Sequence, residues 1–432
     1  KCSENIFQIS VIMPVYNAGK YLYQTLDSLI YQTFREFELI CVDDASSDIE
    51  TKAILDAYQN KYEFMRVIYL NAHIGAGEAR NIGFGEAKGE YVIFLDADDI
   101  FQEQMLEVMY NSILQENAEV CICGYENFSD ADEMNKPSET VIRPKRYNKN
   151  CLSEDWMLYN SPNPWTKLCK RKFLAENHIS FQSISACNDV YWSCMVQIKA
   201  EKICFLEDKI LVRYRTGNPK QVTAQKSVLC IFYAMSAVLK KVDKERLGSE
   251  VMKAVILLFI WLVVGEIRIS KKTKEIDQCH QLTRAILLDK INAICYRSEF
   301  YNGLLHSFMQ TDFIDSRFPW NMTLYEQINL CKERLLILMN QTGKKVLWGN
   351  GKRGEAFQNF CSNQKISLFG ITDSKNINID KETAYGFKII STDDAIYGAD
   401  MVIASNSEIF LAVKESMKDI KIINLQEYCP FG

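Results

Sequence analysis

Asp43 and Asp44 follow the apolar run Phe37–Val42, and Asp96, Asp98 and Asp99 follow the apolar run Tyr91–Leu95. A third loop, Pro14–Val15–Tyr16–Asn17, closes the apolar run that begins at Ile9. Ionised carboxylates only accept hydrogen bonds, and several brought together repel one another. Their shared chemistry is that of oxygen ligands for a hard divalent cation, Mg2+ or Mn2+, bridging to a substrate diphosphate. Taken singly, each Asp is an ordinary turn or helix-cap residue. Turn propensity does not explain three such loops on one rim.

The elements that must position these loops are read from the periodicity. Ile9–Pro14, Phe37–Val42, Met65–Leu70, Tyr91–Leu95 and Glu119–Cys123 are strand-like runs. Between them lie helix-like segments: Ala18–Gln32, with Leu22, Leu26, Leu29 and Ile30 at helical spacing, then Ile49–Lys61, Gly75–Lys88 and Gln102–Glu116. Such alternation predicts a mainly parallel sheet covered on both faces, with ligands beyond the carboxyl ends of its strands. The polar stretch Phe128–Asn150 reads as a loop or lid. Residues 151–215 mix short helices with a strand pair near Ile203–Phe205 and Ile210–Tyr214, and about 221–340 is almost purely helical.

A fresh start comes near Lys344. The strand Lys345–Trp348 leads into Gly349-x-Gly351-x-x-Gly354 and a helix, and Asp373 stands 19 residues after Gly354 at a strand end. That spacing fits a dinucleotide fingerprint, which would make these four residues a second nucleotide site; a tight strand–helix turn with no cofactor, or only a vestigial site, is the preferred explanation of the glycines. At roughly 100–200 residues per domain, three domains are expected in 432 residues: 1–225, 226–341 and 342–432.

Composition narrows the class. Lys plus Arg total 50 against Asp plus Glu 55, with no strongly basic half, which argues against a nucleic-acid partner. The 15 cysteines are scattered, several inside apolar runs, as small buried side chains in a reducing compartment are. Cys121-x-Cys123 lacks a second pair at zinc spacing, so alternation on a strand explains it. Lys1–Gln8 shows no leader-like apolar region. The run Ala254–Val264 is too short to span a bilayer, which needs about 20 residues. A buried helix is the expectation, with peripheral membrane contact as the alternative.

Four stretches together resemble the inverting family 2 glycosyltransferases of GT-A fold: Val11–Asn17, Val42–Asp48, Gly77–Gly83 and Phe94–Asp99. They occur in that family's order and spacing. The resemblance implies a GT-A nucleotide-sugar-binding mixed sheet flanked by helices, followed by a helical region and a small Rossmann-like α/β domain. It implies that Pro14, Val15, Tyr16 and Asn17 line the nucleotide pocket and that Asp44 accepts a hydrogen bond from the base, typically uracil, whose imide N–H suits an acceptor-only group. Arg80 then helps hold the nucleotide, Asp96 with Ala97 contacts the ribose, Asp98 coordinates the metal (Mn2+ or Mg2+) and Asp99 supports it.

In the acceptor half, Asp189 matches the position of the general base, while Asn188 stands where relatives carry Glu. The alternative for Asp189 is a helix-cap residue. Trp165 and Lys167 fall in the substrate-region motif, and Tyr214–Arg215 with Val222–Thr223 resembles the closing segment. Some relatives complete the metal site with a later His, and none lies here between His178 and His280. The implied reaction is inverting transfer from a nucleotide-sugar, a UDP-sugar by expectation, to a hydroxyl of a glycan or lipid-linked acceptor. It would serve surface polysaccharide synthesis in the cytoplasm or at the inner membrane face. The alternatives are a non-catalytic nucleotide-sugar-binding scaffold and a dinucleotide-dependent sugar-modifying activity in the C-terminal domain. Intact Asp44, Asp96, Asp98 and Asp189 oppose the first, and the lack of an evident Tyr–Lys or Cys–His arrangement opposes the second.

Overall fold

A computed structural model describes residues 7–129, 141–216, 227–269, 273–291, 294–298, 301–302, 305, 308–309, 332–349, 352–372, 379, 381–405, 413 and 420–424. The chain divides into two compact units, Lys1–Ile294 and Cys295–Gly432.

The first unit opens with β1 (Ile9–Val15), α1 (Tyr21–Ile30), β2 (Phe37–Asp43), α2 (Ile49–Lys61), β3 (Met65–Tyr69), α3 (Ala76–Glu86) and β4 (Tyr91–Phe94). Strands β3-β2-β1-β4 lie side by side and parallel. Nearly every residue of β1 and β2 is buried, as expected of parallel strands covered on both faces. Two of the buried polar residues of that pair satisfy each other: Ser10 Oγ donates to Glu38 at 2.7 Å. Helix α1 buries Leu22, Leu26 and Leu29. Helix α2 starts at Asp48, whose carboxylate accepts the N–H groups of Glu50 and Thr51.

Beyond β4 the sheet is mixed. The chain continues through β5 (Ile100–Phe101), α4 (Met105–Gln115), β6 (Val120–Phe128), β7 (Val141–Ile142), β8 (Lys167–Lys170), α5 (Arg171–Glu176), α6 (Asn188–Lys199) and β9 (Ile203–Arg215). The full order is β3-β2-β1-β4-β8-β6-β9-β5, with β7 on β6. Strand β8 runs antiparallel to both β4 and β6, and β9 runs parallel to β6. Instead of the expected strand pair near 203–214, β9 is one continuous strand whose register on β6 shifts around Gly124. A Cβ at Gly124 would stand 2.6 Å from Ile210 Cδ1 and 2.8 Å from the Ile142 carbonyl, so the glycine lets the irregular strand close in. The described end of the Phe128–Asn150 stretch is anchored, since Lys149 Nζ donates to the carbonyls of Gln197 and Ile198 at 2.8 Å.

Helices α7 (Leu229–Glu245), α8 (Ser249–Ile269) and α9 (Thr273–Ile291) belong to the same unit: α7 packs on α6, and α8 packs on the short turn Trp156–Leu158. The apolar run 254–264 sits on α8, with Ala254 to Ile260 and Val263 buried. Among the described residues, no helix is long and apolar enough to cross a membrane.

The second unit carries α10 (Lys332–Met339), β10 (Lys345–Trp348), α11 (Lys352–Asn363), β11 (Gly370–Thr372), α12 (Thr392–Gly398), β12 (Met401–Ala404) and β13 (Lys421–Asn424). Its four strands are parallel in the order β11-β10-β12-β13.

Candidate active site

Registry brings the polar loops together. Val15 pairs with Asp43, so β1 and β2 end level, while β4 ends at Phe94 opposite Ile12 and its following loop, from Leu95, runs on along the last residues of β1. The loops are then tied to one another. Asp44 N–H donates to the Val15 carbonyl at 2.8 Å, and Leu95 N–H to the Ile12 carbonyl at 3.0 Å. Asn17, with φ of 49°, accepts the N–H groups of Ser47 and Asp48 on its side-chain oxygen at 2.9 and 3.0 Å. Asn is among the few residue types that tolerate that left-handed conformation.

The carboxylates of the rim have different neighbours. Asp44 is buried and accepts from Ile74 N–H at 2.7 Å and Gly75 N–H at 2.8 Å, and His73 Nδ1 stands 2.8 Å from its carboxylate. It therefore holds the loop between β3 and α3, beyond the base contact that the resemblance implies. Asp96 and Asp98 are half-buried and Asp99 fully buried. Burial first, then the charges of Asp98 and Asp96, push the Asp99 carboxyl well above the usual carboxylate range, against the opposing pull of Arg215. Arg215 N–H donates to Asp99 at 2.9 Å, and its Nε donates to the Asp98 carbonyl at 2.7 Å. Its guanidinium lies 4.5 Å from the rings of both Tyr21 and Phe128. Thr25 Oγ1 donates to the carbonyls of Ala97 and Asp99 at 3.1 and 2.7 Å. The Asp96–Asp99 loop is thus clamped from α1 and from the end of β9.

Arg80 is 5% exposed and faces protein. One arm donates to Asp96 at 2.6 Å and the other to the Asn188 side chain at 2.9 Å. In this structure it orients the rim and α6 together. Asn188 opens α6, Asp189 stands in its first turn, and the preceding Cys187 is left-handed with φ of 57°. Trp165 is buried, stacked on Tyr214 with centroids 5.2 Å apart. Lys167 is fully buried, and its Nζ donates to the carbonyls of Ser161 and Asn163 at 2.8 and 2.6 Å. Burial pushes its ammonium down to about 8, opposed by nearby Cys169, Cys123 and Asp189. Trp165 and Lys167 therefore shape the acceptor-side loop from inside.

The residues fit a divalent cation only in company with a substrate. Among the described residues no group of three or more His, Cys, Asp or Glu is placed to hold a metal ion. Mg2+ commonly takes one or two carboxylates together with substrate phosphates. The crowding of Asp96, Asp98 and Asp99, with Asp99 Oδ2 buried and lacking a hydrogen-bond partner, is the negative excess that such a cation relieves.

In the second unit, Gly349 has φ of 104°, and a Cβ at Gly354 would stand 2.0 Å from the Gly349 carbonyl. Both glycines are required by the turn itself. Gly351 and Asp373 lie outside the described residues, as do Val222 and Thr223. The periodic pattern missed four contributors: Thr25, Gln24, whose side-chain oxygen accepts from Arg215 Nη2 at 2.5 Å, His73 and the buried clamp of Arg215. Only Arg215 carried a signal, through the Tyr214–Arg215 resemblance.

A mixed sheet whose parallel strands end in acidic loops, tied through Arg80 to a helix with a carboxylate in its first turn, is the arrangement of a glycosyltransferase of GT-A fold. The sequence profile of glycosyl transferase family 2 matches residues 10–177. The glycosyltransferase GlyG of Streptococcus pneumoniae is 32% identical over 225 residues, 49% of this chain and 72% of the relative. The poly(ribitol-phosphate) beta-glucosyltransferase of Bacillus spizizenii is 32% identical over 205 residues, 46% of this chain and 31% of that relative. In fold, residues 1–349 of S. aureus TarS, solved with UDP-GlcNAc, superpose with a TM-score of 0.58 at 21% identity, covering 70% of this chain and 87% of that one. The chain belongs to glycosyl transferase family 2.

Proposed function

We propose that this enzyme transfers a sugar from a UDP-sugar to a hydroxyl of a surface glycan or lipid-linked acceptor, with inversion at the anomeric carbon. The observation that carries the reading is the Arg80 fork, which joins the Asp96–Asp99 rim to the helix bearing Asp189. The UDP-GlcNAc complex of TarS and the poly(ribitol-phosphate) activity named for the B. spizizenii relative support the donor and acceptor classes.

The chemistry follows from the chain's own groups. Pro14–Asn17 and Asp96 with Ala97 would line the nucleotide, and Asp189 would take the proton of the attacking hydroxyl. A single displacement needs no enzyme nucleophile and leaves an inverted centre. Asp98, with Asp96 beside it, would hold Mn2+ or Mg2+, which when bound neutralises charge on the nucleoside diphosphate leaving group. A nucleotide-sugar donor supports a cytoplasmic site of action, with peripheral membrane contact where the acceptor is lipid-linked. The parallel sheet and glycine turn of the second unit support a Rossmann-like reading in which the glycines serve the turn. Saturable binding of NAD or NADP to the full chain would instead make the turn a nucleotide site.

Calorimetric titration of UDP with and without Mn2+ tests the main reading. Metal-dependent binding that Asp98→Ala abolishes is expected; metal-independent binding would sink the assignment of Asp98.

A further inference from the structure

On the acceptor side of the sheet, a shallow crevice lies between the short strand β7 and the loop that precedes β8. Tyr125, Ile142 and Arg143 form one wall, and Asn160, Ser161 and Thr166 the other. The backbone around Arg143 is fixed by its neighbours. Pro144 is buried and holds the residue before it in extended conformations. Buried Asn160 grips the next residue twice, accepting Lys145 N–H and donating to the Lys145 carbonyl, each at 3.2 Å. The Tyr125 and Ser161 hydroxyls meet at 3.1 Å. That pair uses one of its two hydroxyl protons and leaves the other to donate. Arg143 is exposed, and among the described residues no carboxylate pairs with it. Arg146, also exposed, instead faces Glu116 and Glu207 at 3.6 and 3.8 Å. The crevice borders the catalytic parts. Tyr125 packs edge-on against Trp165 with centroids 4.6 Å apart, Trp165 stacks on Tyr214, and the adjoining Arg215 clamps the Asp98 carbonyl. On the other wall, Thr166 precedes buried Lys167, whose ammonium feels nearby Asp189.

We propose that this crevice is an acceptor subsite for a phosphate group, gripped by Arg143 on one wall and by the Tyr125–Ser161 hydroxyl pair between the walls. The inference rests on the glycosyl-transfer reading above and names the chemistry of its acceptor: a molecule with phosphate near the reacting hydroxyl, in a phosphodiester-linked chain or at the head of a lipid carrier. A guanidinium has five N–H donors and no acceptor, so an unpaired one suits an acceptor-only group better than a neutral sugar, whose hydroxyls also donate. Its planar fork matches phosphate oxygens in pairs. A tetrahedral phosphate also offers oxygens out of a single plane, toward Arg143 and toward the hydroxyl pair at once.

Calorimetric titrations of the full chain, saturated with UDP and Mn2+ so that the donor rim is filled, test this. The probes are a glycerol phosphate oligomer, farnesyl diphosphate in neutral detergent micelles, and trigalacturonate, an anion without phosphate. The wild type should bind one of the phosphate probes more tightly than trigalacturonate, and the one it binds tells a phosphodiester chain from a lipid head. Arg143→Gln should weaken that binding by about tenfold or more, the scale of a charge-assisted hydrogen bond, and Arg143→Lys by less. Arg146→Gln removes the same charge three residues away, where it is already paired, and should change the affinity by about twofold at most. Both arginines are exposed, and thermal unfolding confirms that each variant is folded. An Arg143→Gln variant with wild-type affinity, or equal losses in Arg143→Gln and Arg146→Gln, overturns the proposal. So does a wild type that binds neither phosphate probe or prefers trigalacturonate. In all these cases UDP binding, measured first, leaves the glycosyl-transfer reading standing. Failure of the wild type to bind UDP overturns both.

Discussion

Arg80 donates to the side chain of Asn188 at 2.9 Å, joining α3 to the first residue of α6 across 108 positions of sequence. Its second arm takes Asp96 at 2.6 Å. The rim and the helix carrying Asp189 are therefore set by one guanidinium fork. Where relatives carry Glu at position 188, this chain offers a neutral oxygen, so Asp96 supplies the only carboxylate hydrogen-bonded to Arg80 among the described residues.

Arg80→Lys tests that geometry. A lysine keeps the charge but lacks a planar fork, so it can satisfy Asp96 or Asn188 and not both. One partner, buried Asn188 or half-buried Asp96, is left unpaired, costing about 1–3 kcal/mol. Urea denaturation should show that loss, and transfer assays should show weaker turnover beyond any change in donor affinity. Wild-type stability with wild-type turnover would mean that the fork positions nothing.

Asp189→Asn separates a general base from a helix-start charge. Asp189 lies in the first turn of α6, where an isosteric Asn loses only a favourable charge at the helix start, about 0.3–1 kcal/mol, so the fold and UDP binding should persist. Without a proton acceptor, transfer should fall by roughly 100-fold to 10,000-fold, the usual contribution of a general base. Steady-state rates set beside calorimetric UDP affinity decide it. A variant with full activity removes Asp189 as base.

Much of this architecture is legible in sequence, for a physical reason. Buried parallel strands are continuous apolar runs, and the loops that follow them are polar, so β1, β2 and β4 and the acidic rim stand out by contrast alone. Strand β9 was harder, because its middle, Glu207–Lys209, is exposed and polar and splits one strand into two apparent ones. Lys167 and Arg215 were opaque in another way. A charged side chain is expected at the surface, and only tertiary structure shows carbonyls gathered around the ammonium of one and aromatic rings flanking the guanidinium of the other. His73 gave no periodic signal, since its role comes from a loop that closes on Asp44.

Buried thiols make stability fall at high pH. Burial pushes Cys123, Cys194 and Cys361 up to about 12 from an ordinary 9.0, and raises Cys41, Cys121 and Cys169 as well. Their folded values lie above their unfolded ones, so their contribution is fully present below pH 9 and is lost as pH rises toward 12. Lys149 and Lys167 act oppositely: burial lowers both from 10.5 to about 8, so the folded chain gains relative stability between those values. Two ammoniums oppose six thiols, and their effect ends first. Thermal unfolding under reductant should show a midpoint that declines from pH 9 upward, most steeply above 10.5. A flat midpoint to pH 11.5 or so would contradict the burial of these thiols.

Two glycines of α3 should respond in opposite directions. A Cβ at Gly77 would stand 2.4 Å from the Gln182 carbonyl and 3.0 Å from Asn188 Cβ, a backbone contact that cannot swing aside. Gly77→Ala should therefore cost about 1–3 kcal/mol by overpacking. It should also push α3 away from the start of α6, stretching the Arg80–Asn188 bond and lowering transfer. Gly85, on the same helix, has nothing within 4 Å of where its Cβ would stand. There Gly85→Ala gains helix propensity and should stabilise by up to about 1 kcal/mol without touching activity. The pair is informative because both changes add one methyl to one helix. If Gly77→Ala lowers stability but leaves turnover intact, α3 and α6 need not be held in close contact for the base to work. If both variants behave alike, the approach of α3 to residues 182–188 is looser than these distances require.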